Sequence, residues 1–139
     1  MVTIRRRQTR RALARSSPYV DPALFDVVDA VEAGGEAGGG VTVTDVAAAL
    51  DVAQPRASKL VAGAVEAGLI RREADQRDGR KALLALTVSG RELCDRVHEG
   101  RRHRFAEATR NWDAAERATF AQLLTRFVDG LTETTAERH

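Results

Sequence analysis

One cysteine, Cys94, occurs in the 139 residues. No internal disulfide can form, and a lone thiol fits a reducing compartment. No run approaches the roughly 20 apolar residues that cross a bilayer. The opening MVTIRRRQTRR is charged but lacks a following apolar stretch, so it does not read as a secretion signal. These absences lead to the expectation of a soluble, cytoplasmic chain with no membrane partner. Lysine is nearly missing as well: Lys59 and Lys81 are the only two, so the basic charge is almost entirely arginine. No nucleophile elbow, Walker loop, HExxH or dinucleotide glycine pattern is present, which argues against an enzyme. The glycine-rich stretch follows a helical pattern rather than a strand, the wrong context for cradling phosphate.

The net charge of +2 conceals a strongly polarised chain. Residues 1–20 carry Arg5, Arg6, Arg7, Arg10, Arg11 and Arg15 with no acid, for +6. Residues 21–55 carry −7, residues 56–91 carry +4, and residues 92–139 carry −1. Basic blocks flanking an acidic one suit a protein that turns a particular face to phosphate.

The length suits one domain with helical extensions. Asp21-Pro22 opens a helix with proline in its first turn, and Leu24, Phe25, Val27, Val28 and Val31 recur at helical spacing to about Ala33. Gly34 to Gly40 reads as a flexible loop, because so many glycines do not nucleate a helix. Thr42 followed three residues later by Asp45 is a capping-box variant opening a short helix to Leu50. Asp51-Val52-Ala53 is a tight turn. A second helix, Gln54 to about Ala67, then buries Ala57, Leu60, Val61, Ala64 and Val65 before Gly68 stops it. Leu69–Ala74 and Lys81–Thr87 form a hairpin around a polar tip containing Asp78-Gly79. Ser89-Gly90-Arg91-Glu92 is expected to cap a long helix carrying Leu93, Val97 and Phe105. The last helix follows Asn111-Trp112-Asp113, with Phe120, Leu123, Leu124, Phe127, Val128 and Leu131 on one stripe.

Helix, three-residue turn, helix and hairpin together form a DNA-binding unit. Its second helix needs one apolar face for the core and one small, polar face for the groove. Opposite its buried stripe, the helix from Gln54 presents Gln54, Pro55, Arg56, Ser58 and Lys59. Arginine and lysine donate to guanine, and glutamine brackets adenine. Any short amphipathic surface helix looks similar, so the hairpin tip matters. Asp75, Arg77, Asp78 and Arg80 lie together on it. Arginine on a projecting loop suits the narrow, electronegative minor groove, and the aspartates can hold the guanidinium groups bidentately. A solvated loop accounts for the charges but not for their position just after such a helix.

The stretches Val41–Ala47 and Gln54–Val61, the run Glu66-Ala67-Gly68-Leu69-Ile70-Arg71-Arg72, and the tip Asp75-Gln76-Arg77-Asp78-Gly79-Arg80 resemble the MarR family of bacterial regulators. The aspartate-x-arginine-aspartate-x-arginine run is the most specific element, and the similarity spans about Asp21 to Leu131. Ala53 departs from it, standing where the family commonly has serine. The resemblance implies a mainly α fold with a small β-hairpin wing, a winged helix-turn-helix with flanking dimerisation helices. It implies residues 1–33 as a basic segment and helix contributing to dimerisation, 41–87 as the DNA-binding unit, and 88–139 as dimerisation helices. It further implies a homodimer on pseudo-palindromic double-stranded DNA, repression of nearby genes, and release by a small aromatic or anionic effector. Arg77 would enter the minor groove, braced by Asp75 and Asp78.

Other residues have plainer readings. Cys94 and His98 share a helix face, but His103 lies about 140° from His98, so no metal and no cofactor is expected. Cys94 is a packing residue or a redox thiol. Tyr19, Phe25 and Trp112 line an effector pocket or simply fill cores, core packing being the default for so few aromatics. The Arg5–Arg15 run tracks phosphate as an arm or forms one face of a helix. The rival function is a winged helix used for protein docking without DNA readout, which gives no reason for Arg56, Lys59, Arg77 and Arg80.

Overall fold

A computed structural model describes residues 21–136. Along them run α1 (Pro22–Glu36), α2 (Val43–Leu50), α3 (Gln54–Glu66), β1 (Ile70–Ala74), β2 (Ala82–Leu86), α4 (Val88–Ala108) and α5 (Ala114–Ala136). This is the mainly helical, winged architecture expected from the sequence. Tyr19 and the Arg5–Arg15 run lie outside the described residues. No described helix is long and apolar enough to cross a membrane.

Asp21 caps α1 by accepting the Ala23 N–H at 2.9 Å, and Pro22 follows where its missing N–H costs nothing. The apolar stripe Phe25, Val27, Val28 and Val31 is buried. The helix does not stop at Ala33. It continues through Gly34 and Gly35 to Glu36, correcting the expectation of a loop from Gly34. Extending an existing helix needs no nucleation, so two glycines at its end cost only about 1 kcal/mol each. Packing also selects glycine at position 34, where a Cβ would sit 2.5 Å from Val41 Cγ2.

At the start of α2, the Thr42 hydroxyl accepts the Asp45 N–H at 3.2 Å, while Asp45 Oδ2 accepts the Thr42 N–H at 2.8 Å. This reciprocal box satisfies two of the helix's free donors. Asp51 ends α2 in the left-handed region (φ 52°), a conformation that aspartate tolerates better than most residues. That bend brings α3 across α2 within three residues.

Val41, Val46, Leu50, Val61, Ala64, Leu69, Ile70, Leu84, Leu86, Leu93 and Cys94 join the α1 stripe in one core. Leu60 and Val65 of α3 lie at its margin, half-buried. The hairpin pairs Ile70 with Leu86 through to Ala74 with Ala82. Val41 adds one antiparallel bridge, its carbonyl accepting the Leu84 N–H at 2.7 Å. The wing is thereby fastened to the chain just before α2.

Thr87, not Ser89, caps α4: its hydroxyl accepts the Gly90 N–H at 3.0 Å and donates to the Gly68 carbonyl at 2.5 Å. Gly90 then passes so close to Leu69, the residue before β1, that a Cβ there would clash with the Leu69 carbonyl oxygen. Leu93 and Cys94 pack into the core, and His98 Nε2 lies 2.9 and 3.0 Å from the two Glu32 carboxylate oxygens. Beyond His98, α4 leaves the lobe. Asp113 and Glu116 form a second reciprocal box that opens α5.

Candidate nucleic-acid interface

The face of α3 away from the core carries Gln54, Pro55, Arg56, Ser58 and Lys59, and all five are exposed. Ala57, Val61 and Ala64 on the opposite side are fully buried, so the helix cannot roll to change which side it shows. Gly63 lies against Leu24 of α1, where a Cβ would stand 3.1 Å from Leu24 Cδ2. Ala53 makes no side-chain cap, as its departure from serine implies. Among the described residues, a side-chain bond at this helix start comes from Gln54, whose Nε2 donates to Thr44 Oγ1 of α2 at 3.3 Å.

The wing tip has a definite backbone. Asp75 Oδ1 accepts the Arg77 N–H at 2.9 Å, and Asp78 Oδ1 accepts the Arg80 N–H at 3.1 Å. The Asp75 N–H bonds the Lys81 carbonyl, and the Lys81 N–H bonds that of Asp78, each at 3.0 Å. Two successive Asx turns therefore shape the tip. The expectation that the aspartates grip the guanidinium groups is corrected, because each carboxylate is occupied by a main-chain donor instead. Local main-chain donors two residues on are closer and require no side-chain ordering. Arg77 and Arg80 are left exposed, their guanidinium groups directed by the loop rather than by an ion pair.

Arg71 has a different task that the sequence did not reveal. Its guanidinium donates to the Leu86 carbonyl at 2.9 Å and to Glu73 Oε1 at 2.7 Å, tying the two strands. Thr44 is the other missed residue. The Asp-x-Arg spacing was already a signal for the Asx turns; nothing local marked Arg71 or Thr44.

The three aromatics proposed for an effector site are not brought together. Phe25 is 3% exposed and belongs to the core of the lobe. Trp112 packs edge-on against Phe120, centroids 5.2 Å apart, and Phe120 stacks on Phe105 at 6.0 Å. Those three rings form a separate cluster at the corner between α4 and α5, and Tyr19 lies outside the described residues.

Cys94 is 1% exposed. Burial, reinforced by the negative charge and hydrogen bond of Glu32, pushes its thiol up to about 12. A thiol held neutral in this way packs as a small apolar group and is a poor nucleophile toward oxidants. Among the described residues, no three of His, Cys, Asp and Glu gather as a metal ion requires.

Comparison with known proteins agrees with this geometry. A model of the MarR family matches residues 20–81, from the start of α1 through the helix-turn-helix to the wing tip. No curated protein matches the sequence. Among solved structures, RV1404 from Mycobacterium tuberculosis is similar with a TM-score of 0.70 and 25% identity, over 87% of this chain and 80% of that one. S. aureus MepR bound to ethidium bromide gives 0.68 at 19% identity, over 94% and 91%. Wild-type apo MarR from E. coli gives 0.65 at 21%, over 91% and 90%. These likenesses give the chain a winged helix-turn-helix fold, and the stretch from α1 to the wing tip is similar to the MarR family.

Proposed function

We propose that the protein reads a pseudo-palindromic operator as a homodimer and is released from it by a small aromatic or anionic effector. The observation that carries DNA reading is the joint exposure of Gln54, Pro55, Arg56, Ser58 and Lys59 on α3 with Arg77 and Arg80 on the wing. The α3 face has the donors that guanine and adenine edges accept in the major groove. The wing arginines suit the adjoining minor groove, where width and A·T content decide affinity.

The second copy is supported by α5. Phe120, Leu123, Leu124, Phe127 and Val128 line it with exposures from 37% to 63%, and none of them belongs to the core of the lobe. An apolar stripe of this kind, left in water, is unfavourable. Pairing it with its own copy gives a two-fold axis, and two recognition helices roughly 34 Å apart then meet half-sites one turn apart.

The effector class is supported by the S. aureus relative, which was solved with ethidium, a flat aromatic molecule. Its release mechanism requires a ligand that prefers a conformation with mis-spaced recognition helices, because equal affinity for both states shifts nothing. Buried Phe25 would take part only if the lobe opened; Trp112 is the more accessible contact.

Selection from a random duplex library, followed by sequencing, tests the reading. An enriched inverted repeat with half-sites one turn apart supports it, and enrichment without any motif contradicts it.

A further inference from the structure

The bond between Gln54 and Thr44 joins the starts of the two helices of the helix-turn-helix. Gln54 is the first residue of α3, Thr44 the second of α2, and both are exposed. Each backbone is fixed independently. The Thr42–Asp45 box holds the first turn of α2, and Pro55 with the bond from Ala57 N–H to the Ala53 carbonyl (3.0 Å) holds that of α3. Only side-chain torsions remain to be ordered when Gln54 Nε2 reaches Thr44 Oγ1 at 3.3 Å.

A bond of this length on the surface adds little stability. Its consequence is orientation. A glutamine amide has two N–H donors and one carbonyl acceptor. The Thr44 contact uses one donor and holds the side chain over the start of α2. One N–H and the carbonyl oxygen stay free, the pair that adenine N7 and N6 require in the major groove. An unrestrained glutamine samples several rotamers, and that freedom must be given up on binding.

We propose that Thr44 is a positioning residue for Gln54, setting a preference for adenine at the base pair that Gln54 faces. This rests on α3 being the recognition helix. The competing role for an exposed hydroxyl at a helix start is a phosphate contact, which carries no sequence information.

Random-duplex selection with the full chain, run in parallel for wild type, Thr44→Val, Thr44→Ser, Gln54→Ala and the Thr44→Val/Gln54→Ala double variant, separates these roles. Valine matches threonine in shape and in helix propensity, and an exposed site accepts it; matching thermal melts verify the fold. Wild type is expected to favour adenine at one position of each half-site by about tenfold, within the range for a bidentate contact. Gln54→Ala loses that preference, and Thr44→Val lowers it at least about threefold while other positions are unchanged. Thr44→Ser retains it, and the double variant matches Gln54→Ala. An unaltered adenine preference in Thr44→Val overturns the proposal. So does a uniform loss of affinity across all duplexes, the mark of a phosphate contact. If wild type enriches no motif at all, the DNA-reading function falls first, an outcome distinct from failure of Thr44 alone.

Discussion

Asp75 accepts the main-chain N–H of Arg77 at 2.9 Å and does not touch its guanidinium. The carboxylate therefore acts on the path of the loop, and its negative charge is incidental to that task. Asparagine supplies the same acceptor without the charge. Asp75→Asn should bind the operator at least as tightly as wild type, since a charge facing phosphate is removed. Asp75→Ala should bind several-fold more weakly, although it removes the same charge. Fluorescence anisotropy on one duplex reads both. Tighter binding by the alanine variant would mean that electrostatics, not bracing, governs the tip.

Gly90 and Gly100 both lie inside α4 yet should respond oppositely to alanine. At Gly90 the new Cβ would clash with the Leu69 carbonyl oxygen, and backbone must move. A loss of about 3 kcal/mol or more is expected, at the upper end of overpacking. At Gly100 nothing lies within 4 Å, so alanine should add about 1 kcal/mol through helix propensity alone. Thermal and urea unfolding measure the two; equal effects would contradict the close approach of Gly90 to Leu69.

The Asp45 carboxyl is held below its ordinary value of 3.8, first by the Thr42 backbone N–H and then by the Thr42 hydroxyl. A folded-state value below the unfolded one gives stability that is fully present above about pH 4. It is lost as pH falls through the lower, folded value. Asp45→Asn keeps an acceptor but has no charge to protonate. Its melting temperature should lie below that of wild type at pH 6 and converge on it as the pH drops below 3.8. A gap that persists at low pH would assign the effect to shape rather than ionisation.

Phe127, 63% exposed, and Leu123, 53% exposed, lie on the stripe assigned to the second copy. Leu123→Glu/Phe127→Glu should give a monomer by light scattering at micromolar concentration while wild type gives a dimer. Binding to a palindromic duplex should drop roughly a hundredfold, the loss expected when two linked sites become one. A wild-type monomer would remove the second half-site.

The helices and the wing were legible because burial imposes period: Phe25, Val28 and Val31 on α1, or Leu84 and Leu86 on β2, alternate as their elements require. The exposed face of α3 follows from what those stripes leave outside. Less legible were features that depend on two distant segments meeting. Helix continuation through Gly34 depends on Val41, and the cap at Thr87 depends on the Gly68 carbonyl. The partners of Arg71 and Gln54 lie fifteen and ten residues away. At the wing tip the donors differ from expectation, since sequence spacing alone does not distinguish a backbone N–H from a guanidinium. Phe25 follows the default expected for so few aromatics and lies in the core of the lobe.

The division of labour between α3 and the wing is tested most directly by anisotropy titrations at several salt concentrations. Arg56→Ala and Arg77→Ala would each be titrated against the selected duplex and single-base variants of it. Arg56→Ala should cost about 1–3 kcal/mol on the selected duplex and lose discrimination at particular base pairs. Arg77→Ala should weaken all the duplexes while leaving major-groove discrimination intact. If both variants keep wild-type affinity and discrimination, DNA is not read by this surface.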